Sequence, residues 1–315
     1  IMARTIIGFG SPAKQDTEEV HGAPLGKDEV KATKEALGWP LEPNFFVPEE
    51  VKAHMSALSS GKASHKDWLD MVKRYSKEYA EEGREIHALI DGKRSGEWEK
   101  ALPVFTEKDG NIATRSASGR VLNAISSAAP FLIGGSADLA PSTNTIMKGM
   151  GHFLSDRTGR NLHFGVREHA MGSVMNGMAL TGGIVPYGAT FLIFSDYMKP
   201  PIRLAGLMHL QAVYVFTHDS IGLGEDGPTH QPIEQLAALR SIPNLTVIRP
   251  ADANETTEAW RVALKKETGP TAIILTRQTL PLIDRTKCAP ASGVLKGGYT
   301  LLDAENGKPE VILLA

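Results

Sequence analysis

Phe164-Gly-Val-Arg-Glu-His-Ala-Met-Gly172 sets a Glu–His pair, Glu168 and His169, at the head of a helix rich in small residues, just after an apolar strand. About twenty residues on, Phe191, Phe194 and Tyr197 recur at i, i+3 and i+6, the spacing of one helical face. A carboxylate at a strand–helix junction beside an aromatic wall suits a flat, protonatable heteroaromatic cofactor. Such a ring stacks on the aromatics while the Glu bonds to one of its nitrogens. The same residues also read as an acidic helix N-terminus and a core aromatic stripe.

A denser element follows. Thr217-His-Asp-Ser-Ile-Gly-Leu-Gly-Glu-Asp-Gly-Pro-Thr-His-Gln-Pro232 joins the strand-like run Ala212–Phe216 to a helical pattern beginning at Ile233. His218, Asp219, Glu225, Asp226 and His230 share this Gly-rich loop at the carboxyl end of a buried strand. Ligands of open α/β sheets bind at that end. A merely solvated loop rarely gathers imidazoles, carboxylates and glycines so closely, and the segment reads as a site.

These two motifs resemble those of the transketolases, as do Gly134-Gly-Ser-Ala-Asp-Leu139, His21-Gly-Ala-Pro-Leu-Gly26, Gly38-Trp-Pro40 and Thr276-Arg-Gln278. The resemblance runs the length of the chain in the family's order. It implies a thiamine-diphosphate and divalent-metal (Mg²⁺ or Ca²⁺) enzyme that moves a two-carbon ketol unit between sugar phosphates such as xylulose 5-phosphate and ribose 5-phosphate. It also implies a homodimer with its site at the subunit interface. By the same resemblance Glu168 shares a proton with the pyrimidine N1′ of the cofactor, and Phe191, Phe194 and Tyr197 line the pyrimidine pocket. Asp138 falls near the cofactor, although a strand-end turn residue is an equal reading. Arg115, Arg277, His218 and Ser142 match the phosphate end of the substrate, where planar guanidinium groups bind two oxygens at once. Asp226 matches a position that reads a substrate hydroxyl, and His230 and His21 match imidazoles at the reaction centre.

The family's metal and diphosphate motif, Gly-Asp-Gly with an Asn some thirty residues on, has one superficial counterpart in Glu225-Asp226-Gly227 and Asn254. The first glycine is replaced by Glu, a proline follows, and the segment already matches the substrate loop. It is rejected, so the metal ligands are expected outside these residues. Dihydroxyacetone synthase, a non-catalytic pyrimidine-domain binding module and one chain of a split enzyme stay open as alternatives.

The surrounding elements must hold these residues in place. From Phe105 to Asp284 the pattern alternates between strands and helices. The strand candidates are Phe131–Gly134, Asn161–Phe164, Val185–Ala189, Ala212–Phe216, Leu245–Ile248 and Thr271–Leu275, and the helices include Ser116–Ala128, Glu168–Leu180 and Ala253–Lys265. Such alternation predicts an α/β fold, a doubly wound and mostly parallel sheet with helices on both faces. The resemblance makes it the pyrimidine domain of the thiamine-diphosphate-binding fold.

Four segments follow. Residues 1–50 read as the tail of a diphosphate-binding domain, with a helix from about Lys27 to Leu37. Residues 51–105 read as a charged helical connection, 106–286 as the pyrimidine-binding domain, and 287–315 as a linker and the start of a further α/β unit. Ile1–Ile7 and Val311–Ala315 read as strands cut across, so the sequence reads as an internal portion of a longer protein.

Composition adds exclusions. The 315 residues are 42% hydrophobic and 22% charged, with a formal net charge of −2 that gives nucleic acid and anionic membranes no purchase. No apolar run reaches the ~18 residues of a membrane span. Cys288 is the single cysteine, which excludes an internal disulfide and fits a reducing compartment, the cytoplasm or a plastid stroma.

Overall fold

The computed structural model describes residues 1–94, 96–156, 158–305 and 307–314. They form two compact units, Ile1–Ala80 and Glu81–Ala315.

The smaller unit is turns and helices. Helix α1, Lys27–Ala36, starts after Gly26 and carries Asp28 and Glu29 in its first turn, where the helix dipole favours them. It ends at Leu37 and Gly38, whose φ of 63° is the left-handed conformation that closes helices. Helices α2 (Glu49–Met55) and α3 (Leu58–Glu78) follow. The strand expected over Ile1–Ile7 is absent. Ile1, Met2, Ile6 and Ile7 are exposed, and a strand without a neighbour has no ladder to hold it.

The larger unit opens with α4, Ala80–Ile90, whose first residue closes the smaller unit. Its short strand β1 (Ile112–Ala113) pairs antiparallel with β8 (Thr279–Leu280). The other strands are β2 (Leu132–Ser136), β3 (Asn161–His163), β4 (Val185–Phe191), β5 (Val213–Thr217), β6 (Thr246–Ile248) and β7 (Thr271–Ile274). They form one parallel sheet in the order β3-β2-β4-β5-β7-β6. All six expected strands are present, shifted by a residue or two at their ends.

The helices α5 (Thr114–Ile125), α6 (Ala140–Thr143), α7 (Glu168–Leu180), α8 (Lys199–Leu207), α9 (Gln235–Arg240) and α10 (Ala253–Lys265) complete the unit. Side chains alternate across each strand, so β5 sends Val213 and Val215 into one core and Tyr214 and Phe216 into the other. The first core meets Val121, Leu122 and Ile125 of α5 and Trp260 of α10, whose indole donates to Ser118 Oγ at 2.8 Å. The second meets Met171 and Met175 of α7 and Ile202 of α8. Helices thus cover both faces, as the alternating pattern required.

The connection from β2 runs outward to β3, whereas that from β4 runs the other way to β5. The sheet therefore changes winding direction between β2 and β4, and the crevice above their carboxyl ends is where such folds place ligands.

Beyond β8 the chain makes a short 3₁₀ turn, Ala291–Lys296, and among the described residues neither helix nor strand follows it. Tyr299 anchors the segment through its hydroxyl, which donates to Glu255 of α10 and accepts from Arg285 at 2.9 Å. Val311–Leu314 is exposed and irregular for the same lack of a neighbouring strand.

Candidate functional site

The sequence-predicted residues of the larger unit fall at the carboxyl ends of its strands or on the helices those ends lead into. Glu168 is the first residue of α7 and is buried, accepting one long hydrogen bond from Thr190 Oγ1 at 3.4 Å. Its carboxylate has capacity for another partner.

The aromatic wall stands on the next strand. β4 runs without a break from Phe191 into a 3₁₀ segment, Leu192–Met198, rather than the α-helical face expected. In an α-helix the first and third rings would diverge by about 120°, whereas three residues per turn bring them into line. Phe191 and Phe194 stack with centroids 5.9 Å apart, and Phe194 and Tyr197 with centroids 6.2 Å apart. Phe191 is buried and Tyr197 exposed, so the stack runs from core to surface.

Next comes β5, which hands over to His218. The residue is buried and left-handed, at φ 58°, a conformation uncommon for residues other than glycine. Thr217 Oγ1 lies 2.9 Å from its Nδ1, which leaves Nε2 facing Asp226 Oδ2 at 3.9 Å. The imidazole lies against Phe191, with centroids 3.7 Å apart. His230 presents its ring edge-on to Phe194 at 5.4 Å and Phe191 at 6.1 Å. Burial, then the positive charge of Arg115, push His218 down to about 4, partly offset by Asp226. At neutral pH it is an uncharged donor and acceptor.

The cations are brought in from opposite ends of the unit's sequence. Thr114 N donates to Thr276 Oγ1 at 3.1 Å, and Thr276 N donates to Thr114 Oγ1 at 2.7 Å. This double link seats the start of α5 against the end of β7 and so sets Arg115 beside Arg277. Burial first, and the like charge of Arg277 second, draw the Arg115 guanidinium below its usual value, while Asp226 opposes the shift. Arg115 Nη1 donates to the Ser142 carbonyl at 2.7 Å, and its buried Nε has no hydrogen-bond partner among the described residues. Arg277 Nη2 is paired with Glu225 at 3.0 Å.

The structure thus gathers Phe191, Phe194, His218, Asp226, His230, Arg115, Arg277 and Ser142. Asp138 stands just past β2, left-handed at φ 64° and exposed. His21 is an exposed residue of the smaller unit. Asn254 is engaged elsewhere: its side chain accepts from the Phe105 amide at 2.9 Å and donates to the Phe105 carbonyl at 3.0 Å. Among the described residues no group of three or more His, Cys, Asp or Glu could hold a metal ion.

Sequence reasoning missed the positioning residues Thr190, Thr114 and Arg249. The last holds buried Asp219, next to His218, at 2.8 Å. Its only signal was an arginine directly after a strand.

Residues 110–282 match the family model described as the transketolase pyrimidine binding domain, and residues 1–95 that of the transketolase thiamine diphosphate binding domain. The chain belongs to the transketolase family. It is 53% identical to the transketolase of Aquifex aeolicus over 317 aligned residues, covering 100% of this chain and 45% of that protein. Crystal structures of transketolase from Pichia stipitis superimpose with a TM-score of 0.86 over 96% of this chain and 45% of theirs. One, at 44% identity, is a complex with sedoheptulose 7-phosphate; the other, a mutant at 43%, is a complex with xylulose 5-phosphate. The chain spans under half the length of these transketolases. No helix among its described residues is long and apolar enough to cross a membrane.

Proposed function

We propose that this chain supplies the pyrimidine and sugar-phosphate half of a transketolase site, in a protein that transfers a two-carbon ketol unit from a ketose phosphate to an aldose phosphate. The observation that carries this reading is the convergence of three chemistries above one sheet edge: an aromatic stack, a pair of imidazoles beside a carboxylate, and two arginines. A sugar phosphate needs the last two, and a flat cofactor needs the first.

The residues fit the aminopyrimidine end of thiamine diphosphate. Glu168 is buried and, among the described residues, accepts one long hydrogen bond, and the Phe191–Phe194 stack offers planar apolar surface. When bound, the cofactor supplies the electron sink for breaking and making the carbon–carbon bond. Glu168 holds a proton at the pyrimidine N1′. Phe191, Phe194 and Tyr197 clasp the ring and exclude water.

His230 exchanges protons with the hydroxyl and carbonyl oxygens of the sugar, and neutral His218 adds a hydrogen-bonding group at the phosphate end. Asp226 accepts from a hydroxyl near the reacting carbon and so reads stereochemistry. Arg115, Arg277 and Ser142 take the phosphate. Asp138 lies on the cofactor side, and His21 joins the reaction centre in the assembled enzyme. That enzyme is a homodimer with the site at its subunit interface, holding Mg²⁺ or Ca²⁺ through ligands outside this segment. Its compartment is the cytoplasm or a plastid stroma, which suits the lone Cys288.

The test is an assay of the full-length protein with xylulose 5-phosphate, ribose 5-phosphate, thiamine diphosphate and Mg²⁺. Formation of glyceraldehyde 3-phosphate and sedoheptulose 7-phosphate is expected. Absence of both products from folded, cofactor-loaded protein would overturn the reading.

A further inference from the structure

The arginine assigned above to the sugar phosphate is not free. Glu225 Oε1 lies 3.0 Å from Arg277 Nη2, and the Glu225 side chain is 83% exposed against 33% for Arg277. Among the described residues Arg277 is the one partner of this carboxylate. Glu225 stands between two glycines held at positive φ, Gly224 at 102° and Gly227 at 82°, where side-chain-bearing residues are strained. The loop also passes close to the guanidinium, since a Cβ built on Gly224 would lie 3.4 Å from Arg277 Nη1. The carboxylate therefore occupies a donor that a phosphate would need, from a segment with glycine pivots on either side.

We propose that Glu225 is an internal stand-in for the substrate's phosphate: it neutralises Arg277 while the site is empty and is displaced when a phosphorylated sugar enters. This rests on the reading of Arg277 as a phosphate ligand. The exchange is favourable because a phosphate dianion presents two oxygens to the planar guanidinium, whereas the exposed carboxylate is a single, solvated contact. Arg115 does not need the same treatment, since its Nη1 is spent on the Ser142 carbonyl and Asp226 lies within its field. Glu225 thereby contributes specificity as well as occupancy. A sugar without a phosphate cannot displace it, and the loop stays pinned to Arg277.

The experiment compares Glu225→Gln, Arg277→Ala and the parent in the full-length, cofactor-loaded enzyme. Two quantities are read: the ratio of KM for xylulose 5-phosphate to KM for unphosphorylated xylulose, and the inhibition constant of inorganic phosphate. Exposed ion pairs contribute ~0.2–1 kcal/mol, so Glu225→Gln should lower both by about 1.5- to 5-fold. In Arg277→Ala both should rise. If Glu225→Gln leaves both unchanged while Arg277→Ala raises them, the stand-in role is overturned and the phosphate reading survives. If Glu225→Gln raises both, Glu225 orients Arg277 instead of competing for it, which also overturns the proposal. If neither variant moves them, the assignment of Arg277 falls and the stand-in role falls with it.

Discussion

The Phe191 ring and the His218 imidazole lie 3.7 Å apart, centroid to centroid, and are tilted by 30°. Phe191 closes β4 and His218 follows β5, adjacent parallel strands in register from Tyr187 with Val213 to Phe191 with Thr217. One hydrogen-bonded ladder thus fixes the distance between the aromatic wall and the imidazole.

Glu168→Gln keeps the shape of the side chain and removes its ability to carry charge. In the full-length protein the turnover number should fall by at least ~100-fold, the lower range for loss of a positioned acid–base group. The thermal midpoint should move little. Near-normal turnover would remove Glu168 from the cofactor role.

Arg277→Ala should raise the KM for xylulose 5-phosphate by ~10- to 100-fold, the loss of one charge-assisted hydrogen-bonding group. The KM for xylulose should change far less. Equal increases for both sugars would mean that Arg277 does not hold phosphate.

The state of His218 makes a pH dependence. An unfolded histidine takes up its proton near pH 6.5, whereas native His218 does so only near about 4. Between those values the unfolded chain binds more protons, so stability rises with pH there. The contribution is intact above pH ~6.5 and is lost as pH falls toward 4. His218→Gln should flatten this part of the urea-unfolding curve against pH, and an unchanged slope would contradict the buried neutral imidazole. Bound inorganic phosphate should raise the His218 pKa seen by NMR, because Arg115 and Arg277 both help to depress it.

Two glycines should separate backbone collision from side-chain crowding. A Cβ on Gly135 of β2 would strike the Leu162 carbonyl of β3, whereas one on Gly188 of β4 would meet the Met175 and Met171 side chains. Methionine can swing aside, so Gly188→Ala should cost about 1–3 kcal/mol, the usual penalty of overpacking. Gly135→Ala should cost clearly more, because two strands must separate. A thermal midpoint lower for Gly188→Ala than for Gly135→Ala would contradict this.

The alternation of apolar strands and amphipathic helices was enough to specify the parallel sheet with helices on both faces, because period-2 and period-3.6 patterns each admit one way of burying their apolar side. Glu168 at the head of α7 and the imidazole–carboxylate loop after β5 were equally legible, since strand–turn–helix order already places them at the ligand-binding edge. The sequence by itself also marked Arg115 and Arg277, but only through resemblance, since nothing local links residues 162 positions apart; Thr114 and Thr276, the same distance apart, supply the link through bonds formed only on folding.

Tertiary structure alone decided several features. The aromatic triplet is stacked because its segment winds as a 3₁₀ turn, a choice of hydrogen-bond register that i, i+3, i+6 spacing does not specify. Ile1–Ile7 and Val311–Leu314 have strand composition and yet form no strand, because a strand is a property of a pair and neither segment has a neighbour. The hold of Glu225 on Arg277 likewise arises only where a loop and a strand end meet, 52 residues apart in the chain.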